Sequence, residues 1–259
     1  MNTQVIDKKA TVRDQVSAAE WETRVELAAA FRIAHALGWN DGVTNHITAR
    51  LPDASDQFII CPQGLGWDEM TASNLIKADV SGRILSQSEL SPGPAGLNFH
   101  SAILGALPNV ACTMHIHPSA GVVISALKQG LMILDQRGCL LNNEVAYHDF
   151  EGYAKAKDEA PRIVAELGKK RTMIMRNHGL LAVGRTLGEM FYFMGKLIKA
   201  CELQERVMAT GGEINPIPPE VIAVANKQSV ERYANKPYGN LDWKMLTRRL
   251  ARVDSSFMA

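Results

Sequence analysis

The chain has 259 residues, with 28 Lys and Arg against 27 Asp and Glu, a formal net charge of +1 and a hydrophobic fraction of 46%. That balance gives no global electrostatic drive toward nucleic acid or an anionic membrane surface, and the apolar content is that of a folded chain rather than a disordered one. No apolar run approaches the roughly 20 residues needed to cross a bilayer, and the opening residues 2–13 are polar and charged, so a cytoplasmic location with neither nucleic-acid nor membrane partners is expected.

Residues 1–16 read as a flexible polar arm. Ser17 and Glu20 then fit a capping box, in which the hydroxyl accepts from a helix amide and the carboxylate reaches back to the cap. Trp21, Val25, Ala28, Phe31 and Leu37 recur at helical spacing, and Gly38 is placed to end that helix. Short β-type runs follow at 47–51 and 57–61, and 75–85 reads as two more strands around a Ser81-Gly82 turn. After a Gly/Pro-rich stretch at 91–96, a helical pattern at 97–107 stops at Pro108. A strand at 110–117, a helix at 119–127, a helix at 159–168 and a strand at 172–176 come next. Thr186 and Glu189 repeat the capping box and open the longest helix, which runs to 209 before Gly211-Gly212. Beyond a proline-rich break at 215–220, two further helices are expected at 220–233 and 241–253. The division is therefore an arm (1–16), one α/β domain (17–212) and a helical tail (213–259). Cys61, Cys112, Cys139 and Cys201 are scattered among apolar neighbours and read as reduced core thiols.

The chemistry concentrates in histidines. In His115-Ile116-His117-Pro118 the two imidazoles are two residues apart on a strand and face one spot. Such a pair can grip a divalent transition metal or be two ordinary hydrogen-bonded side chains. His178, in Arg176-Asn177-His178-Gly179, stands at the end of another strand, and Gly179 permits a turn or a close backbone approach. Alone it reads as a turn histidine. With the other two it completes a facial set of three nitrogen donors that leaves coordination positions open for a substrate.

The segments GLNFHSAIL, NVACTMHIHP, NEVAYHDFEG, MIMRNHGLLAVG and GEMFYFMGKLIKACELQERV, in this order across 18–212, resemble the class II aldolase/adducin family, and the wording is nearer to its adducin-like branch. The resemblance implies a single-domain α/β/α sandwich around a mostly antiparallel central sheet. It also implies a homotetramer with sites at subunit interfaces, and a divalent metal on His115, His117 and His178, zinc first, with manganese or iron as alternatives. Further implied site residues are Tyr147 as a proton donor, His148 beside it as a second acid or base, and Asn45 as a substrate contact. Gln63 and Gly64 fall at a small anion-binding turn, and His100 is a neighbour of the site. Trp67 in the following loop either faces a flat substrate or packs.

One position departs from the family. Where the aldolases carry a glutamate that serves as base and fourth ligand, this chain has Gly96. Glu89 could replace it only if the loop at 91–96 folded back. The loss favours a metal-dependent carbon–carbon lyase that decarboxylates, or less readily performs aldol cleavage on, a small hydroxylated carboxylate, aromatic ones included. Alternatives are an iron(II) and dioxygen-dependent oxygenase on the same scaffold, and a non-catalytic, self-associating module like the adducin head.

Overall fold

Alternation of side chains along the strands divides the core in two and decides where the histidines can meet. The computed structural model describes residues 11–152, 159–234 and 236–259, so residues 1–10 of the expected arm lie outside the described residues. In chain order the elements are α1 (Val12–Gln15), α2 (Ala18–Ala36), β1 (His46–Arg50), β2 (Gln57–Ile60), β3 (Ile76–Asp79), α3 (Pro94–Ala106), β4 (Cys112–Ile116), α4 (Ser119–Ser125), α5 (Gln136–Leu141), β5 (Val145–His148), α6 (Glu159–Leu167), β6 (Thr172–Met175), β7 (Gly179–Gly184), α7 (Leu187–Ala209), α8 (Pro219–Tyr233) and α9 (Asn240–Val253). Among the described residues seven strands form one sheet in the order β3-β2-β1-β4-β7-β6-β5. Every pair is antiparallel except β5 with β6.

The two faces carry separate apolar clusters. Ile47 and Ala49 of β1, Met114 and Ile116 of β4, and Leu180 and Ala182 of β7 point to the larger one, which α2, α4 and α7 cover. Met173 and Met175 of β6 and Leu181 and Val183 of β7 point to the smaller one, under α3 and α6. By the same alternation His46, Thr48, Thr113 and His115 turn toward the α3/α6 side. Each of these positions forgoes the roughly 1.5–3 kcal/mol that a buried aliphatic side chain would contribute, so the polar set persists only fully hydrogen-bonded or in use.

The helices form where their ends are satisfied. Ser17 Oγ accepts from Glu20 N–H at 3.0 Å, and Thr186 Oγ1 from Glu189 N–H at 3.1 Å. The carboxylates, however, do not close simple capping boxes. Glu20 is drawn to Arg24 at 2.9 Å and Lys77 at 2.8 Å, and Glu189 accepts from the Arg185 amide one residue before the cap. Charge pairing in a buried setting outweighs a single backbone bond here. Elsewhere the second arm expected in 75–85 is reduced to one isolated bridge, Ala78 to Ile84: residues 83–86 stay beside β3, but the Leu85 and Ser86 amides both donate to the Lys77 carbonyl and the Lys77 amide donates to the Ser86 side chain, so no regular ladder forms. Four elements among the described residues had no counterpart in the sequence: α5, β5, β7 and α1, a single helical turn inside the expected arm where the Asp14 carboxylate accepts from the Thr11 amide and hydroxyl.

The C-terminal residues return to the body. α9 packs on α7 and α2, Leu250 and Phe257 are buried in the larger cluster, and the Ala72 and Ser73 amides donate to the Phe257 and Ala259 carbonyls. All four cysteines are free and buried, and burial pushes the thiols of Cys61 and Cys201 up to about 12, so they are inert at neutral pH.

Glu189 ties the start of α7 to the sheet. Burial alone would raise its carboxyl, but the hydrogen bonds and charges of Arg185 and Arg171, with Nε atoms 3.1 and 3.3 Å away, hold it below its usual value. Replacing Glu189 by Gln should lower the unfolding free energy by about 2 kcal/mol, less than the ~3–5 kcal/mol of a fully buried pair because Arg185 is largely exposed. Glu202→Gln, which breaks only the exposed pair with Lys199, should change it by less than about 0.5 kcal/mol. Urea unfolding of the two variants checks the contrast.

Candidate metal centre

His115 lies in β4 between β1 and β7, paired with His46 on one side and Leu181 on the other. Its ring reaches over the sheet, and Nδ1 donates to the Leu180 carbonyl at 3.0 Å. A carbonyl can only accept, so the proton is on Nδ1 and Nε2 presents a lone pair. His117 follows the last residue of β4, where Pro118 ends the pairing. Its Nδ1 stands 3.5 Å from the Asp41 carboxylate, and its Nε2 is 3.0 Å from His115 Nε2.

His178 arrives from the β6–β7 hairpin. Met175 pairs with Gly179, so only residues 176–178 make the turn, and Asn177 takes the left-handed conformation (φ 54°) that this residue type tolerates. The His178 amide donates to Met175 O, the Asn177 amide to Ser125 O and the Arg176 amide to His148 O, which fixes the turn to α4 and β5. His178 Nε2 then lies 3.3 Å from His115 Nε2. Gly179 contributes closeness rather than a turn: a Cβ there would stand 2.5 Å from His117 Cδ2 and 2.7 Å from Ile116 O.

One nitrogen from each of His115, His117 and His178 lies within 4.8 Å of the others. Nitrogens about 2.0–2.1 Å from a tetrahedral ion would be roughly 3.3 Å apart, close to the 3.0 and 3.3 Å separations of His117 Nε2 and His178 Nε2 from His115 Nε2. Two of the three rings also have their remaining nitrogen turned to an acceptor, the Leu180 carbonyl and the Asp41 carboxylate, as metal-bound imidazoles do. The donor set fits zinc, iron or manganese. Burial, with the neighbouring imidazoles, holds His115 well below the usual histidine value and brings His178 to about 4. Burial also lowers His117, against the pull of Asp41. At neutral pH the three rings are therefore neutral, with nitrogens that could hold an ion.

Beside them is a second polar layer, of which His46 borders the same open space and His100 lies behind. His46 Nδ1 lies 2.5 Å from Nε2 of fully buried His100, whose Nδ1 meets the hydroxyls of Thr48 and Thr113. His100 thus has both nitrogens engaged and no path to open space. Gly96 explains how His46 fits: a Cβ at 96 would stand 2.7 Å from His46 Cδ2, so the imidazole occupies the room a side chain there would need.

The three histidines open onto a cavity of about 450 Å³ walled by Phe99, Phe150, Ile163 and Met175, with Asp41 and Glu159 contributing the carboxylates. Neither acid stood out in the sequence, since each sits in a polar segment and is brought to the site only by tertiary packing. Glu159 is buried, with Oε1 3.5 Å from His148 Nε2. Glu89 and Trp67 do not line the cavity; Trp67 is buried edge-on against Phe31.

The remaining expected residues spread out. Asn45 Oδ1 accepts from the Asp41 amide at 2.6 Å, while its buried Nδ2 has no partner among the described residues. His148 is buried and bound through Nδ1 to Glu166 at 2.7 Å. Tyr147 points to the opposite face of β5, its hydroxyl accepting from the Leu131 amide and its ring under the Arg176 guanidinium. Gln63 packs beside Gly93, and Gly64 turns with φ 94°, both outside the cavity wall.

Comparison with known proteins gives a consistent result. The profile of the Class II Aldolase and Adducin N-terminal domain matches residues 25–205. A Pseudomonas aeruginosa protein named for the class 2 aldolases is 40% identical over 98% of this chain and 99% of its own length. Alpha-adducin of Rattus norvegicus is 41% identical over 73% of this chain, a match that spans 26% of the adducin. Among solved structures, an aldolase II superfamily protein from Pseudomonas syringae superposes with a TM-score of 0.88 at 37% identity, covering 96% of this chain and 100% of that one. An L-fuculose 1-phosphate aldolase from Glaciozyma antarctica does so with a TM-score of 0.78 at 28% identity, covering 94% and 92%.

Two outcomes follow for the metal-free protein and its affinity for zinc. An unfolded chain protonates histidine near pH 6.5, whereas folded His178 stays neutral to about 4. In that window the unfolded state binds more protons, so stability should fall as pH drops from about 6.5 toward 4, and fall less in His178→Gln; urea midpoints across the range measure this. Gly179→Ala should push His117 out of line, costing roughly 1–3 kcal/mol of stability and at least about tenfold in zinc affinity by competition with a chelator.

Proposed function

The chain belongs to the class II aldolase and adducin family, and on that premise we propose that it is a divalent-metal-dependent carbon–carbon lyase, a decarboxylase before an aldolase. The substrate is a small hydroxylated carboxylate, with room for an aromatic group. The observation that carries this reading is the convergence of three neutral imidazoles, two of them tied back through their outer nitrogens, at the floor of an apolar-walled cavity.

His115, His117 and His178 would hold the ion, zinc first. When bound, such an ion supplies a positive charge that draws electron density from a substrate's oxygen atoms as a bond to carbon breaks. Phe99, Ile163 and Met175 exclude water from the reacting atoms and suit an apolar or aromatic substituent. Asn45 has an unpaired amide nitrogen, but it is buried behind the cavity-lining residues Thr44 and His46, so it would support the wall of the site from behind. Gln63, Gly64 and His100 lie too far back to contact a substrate within one subunit.

Decarboxylation is favoured over aldol cleavage because no carboxylate can project from Gly96 to take a proton, whereas loss of carbon dioxide leaves an electron pair on carbon and requires only a proton afterwards. His148 Nε2 has no hydrogen-bond partner among the described residues and stands 3.5 Å from the cavity-lining carboxylate of Glu159, so these two side chains are the candidates for handling a proton within the subunit. Tyr147 faces away and would serve the site of a neighbouring subunit in a homotetramer. No helix among the described residues is long and apolar enough to cross a membrane, in keeping with a cytoplasmic enzyme.

His115→Ala should abolish both bound metal and turnover; unchanged metal content would sink the reading. Metal analysis followed by a screen of hydroxy-acids and aromatic carboxylates, with and without oxygen, separates the alternatives. Oxygen consumption by the iron-loaded protein would favour the oxygenase. Self-association without turnover on any substrate would favour an adducin-like module.

A further inference from the structure

We infer that His46, held by His100, binds the hydroxyl of the substrate through its Nε2 atom and makes the cavity selective for 2-hydroxycarboxylates over carboxylates lacking that hydroxyl. The inference rests on the metal-site reading above and adds a residue to it.

Three observations meet at this ring. His46 lines the cavity between Phe99 and His115, its centroid 6.1 and 5.3 Å from theirs, so it borders the space over the three converging nitrogens. It does so because position 96 is glycine: even a methyl group there would collide with Cδ2 at 2.7 Å. And while Nδ1 is fixed by the 2.5 Å contact with His100, Nε2 has no hydrogen-bond partner among the described residues.

The support behind the ring determines what it can recognise. His100 is fully buried with no charged partner, and its far nitrogen rests on Thr48 and Thr113, whose hydroxyls lie 3.0 Å apart and can each donate or accept. Either neutral tautomer of His100 is therefore satisfied, and His46 can follow it, showing the cavity an N–H or a lone pair. A substrate hydroxyl, itself both donor and acceptor, is the group that pairs with such a partner in either state. A carboxylate only accepts and gains nothing from the second state. The apolar walls from Phe99 and Phe150 take the substituent on the hydroxylated carbon.

The test measures binding to the zinc-loaded protein by calorimetry, with mandelate as the hydroxylated probe and phenylacetate as its counterpart without the hydroxyl. Wild type should prefer mandelate by roughly tenfold. His46→Leu should keep one zinc per chain and lose that preference, phenylacetate changing less than about twofold, while His46→Gln, whose amide can still donate or accept, should recover part of it. Equal binding of the two probes by wild type would overturn the proposal, as would an intact preference in His46→Leu. Loss of zinc from both His46 variants would overturn it too, by making His46 a ligand or scaffold. Zinc retained by His115→Ala would instead overturn the metal site itself.

Discussion

The hydrogen bond from His115 Nδ1 to the Leu180 carbonyl is the constraint on which the rest depends. It exists only because β4 and β7 pair in a register that sets Ile116 opposite Leu180, and that register also decides how far the hairpin carrying His178 extends. One bond therefore fixes a tautomer, aims a lone pair and measures the reach of a second strand. The Asp41 carboxylate does for His117 what the carbonyl does for His115, from a loop rather than from the sheet. A structural zinc site would close its fourth position with another protein ligand; here the space over the three nitrogens is a cavity with apolar walls, the arrangement of a site meant to receive something.

Much of this was legible in the sequence, for reasons that differ by residue. The pair His115 and His117 could be placed on one side because strand alternation has a period of two whatever the fold. His178 could be placed at a strand end but not against the other two, since that needs the β6–β7 pairing, and β7 itself is a run of small apolar residues between glycines with no alternation to announce it. β5 is short, and its polar residues His148 and Tyr147 face opposite layers, so neither periodicity nor polarity marked it. Asp41 and Glu159 were invisible, because what brings an acid to a histidine is packing between elements far apart in the chain. The capping boxes were half legible: the hydroxyl half is local, while the destination of Glu20 and Glu189 depends on arginines and a lysine supplied by the fold.

The empty position at 96 changes meaning once the neighbours are known. On the sequence it is the loss of an acid. In the structure it is the admission of a ring, because His46 fills the volume and brings with it a buried imidazole and two hydroxyls. The exchange replaces a charge by a neutral group of adjustable polarity, and the charge balance of the site moves with it: three neutral ligands and no carboxylate from that side leave a bound divalent cation less compensated, which favours anionic ligands.

The division of the core into two unequal clusters has a mechanical side. The larger one, under α2, α4 and α7, unites most of the buried apolar residues and receives the C-terminal segment as well, whereas the one under α3 and α6 is small and shares its layer with the histidines and the cavity. Motions that admit a molecule to the three imidazoles therefore fall to the layer with the fewest apolar contacts to give up, and the sheet between acts as a partition. The pairing of β4, β6 and β7 that keeps His115 and His178 in line belongs to that partition and not to the layer of α3 and α6.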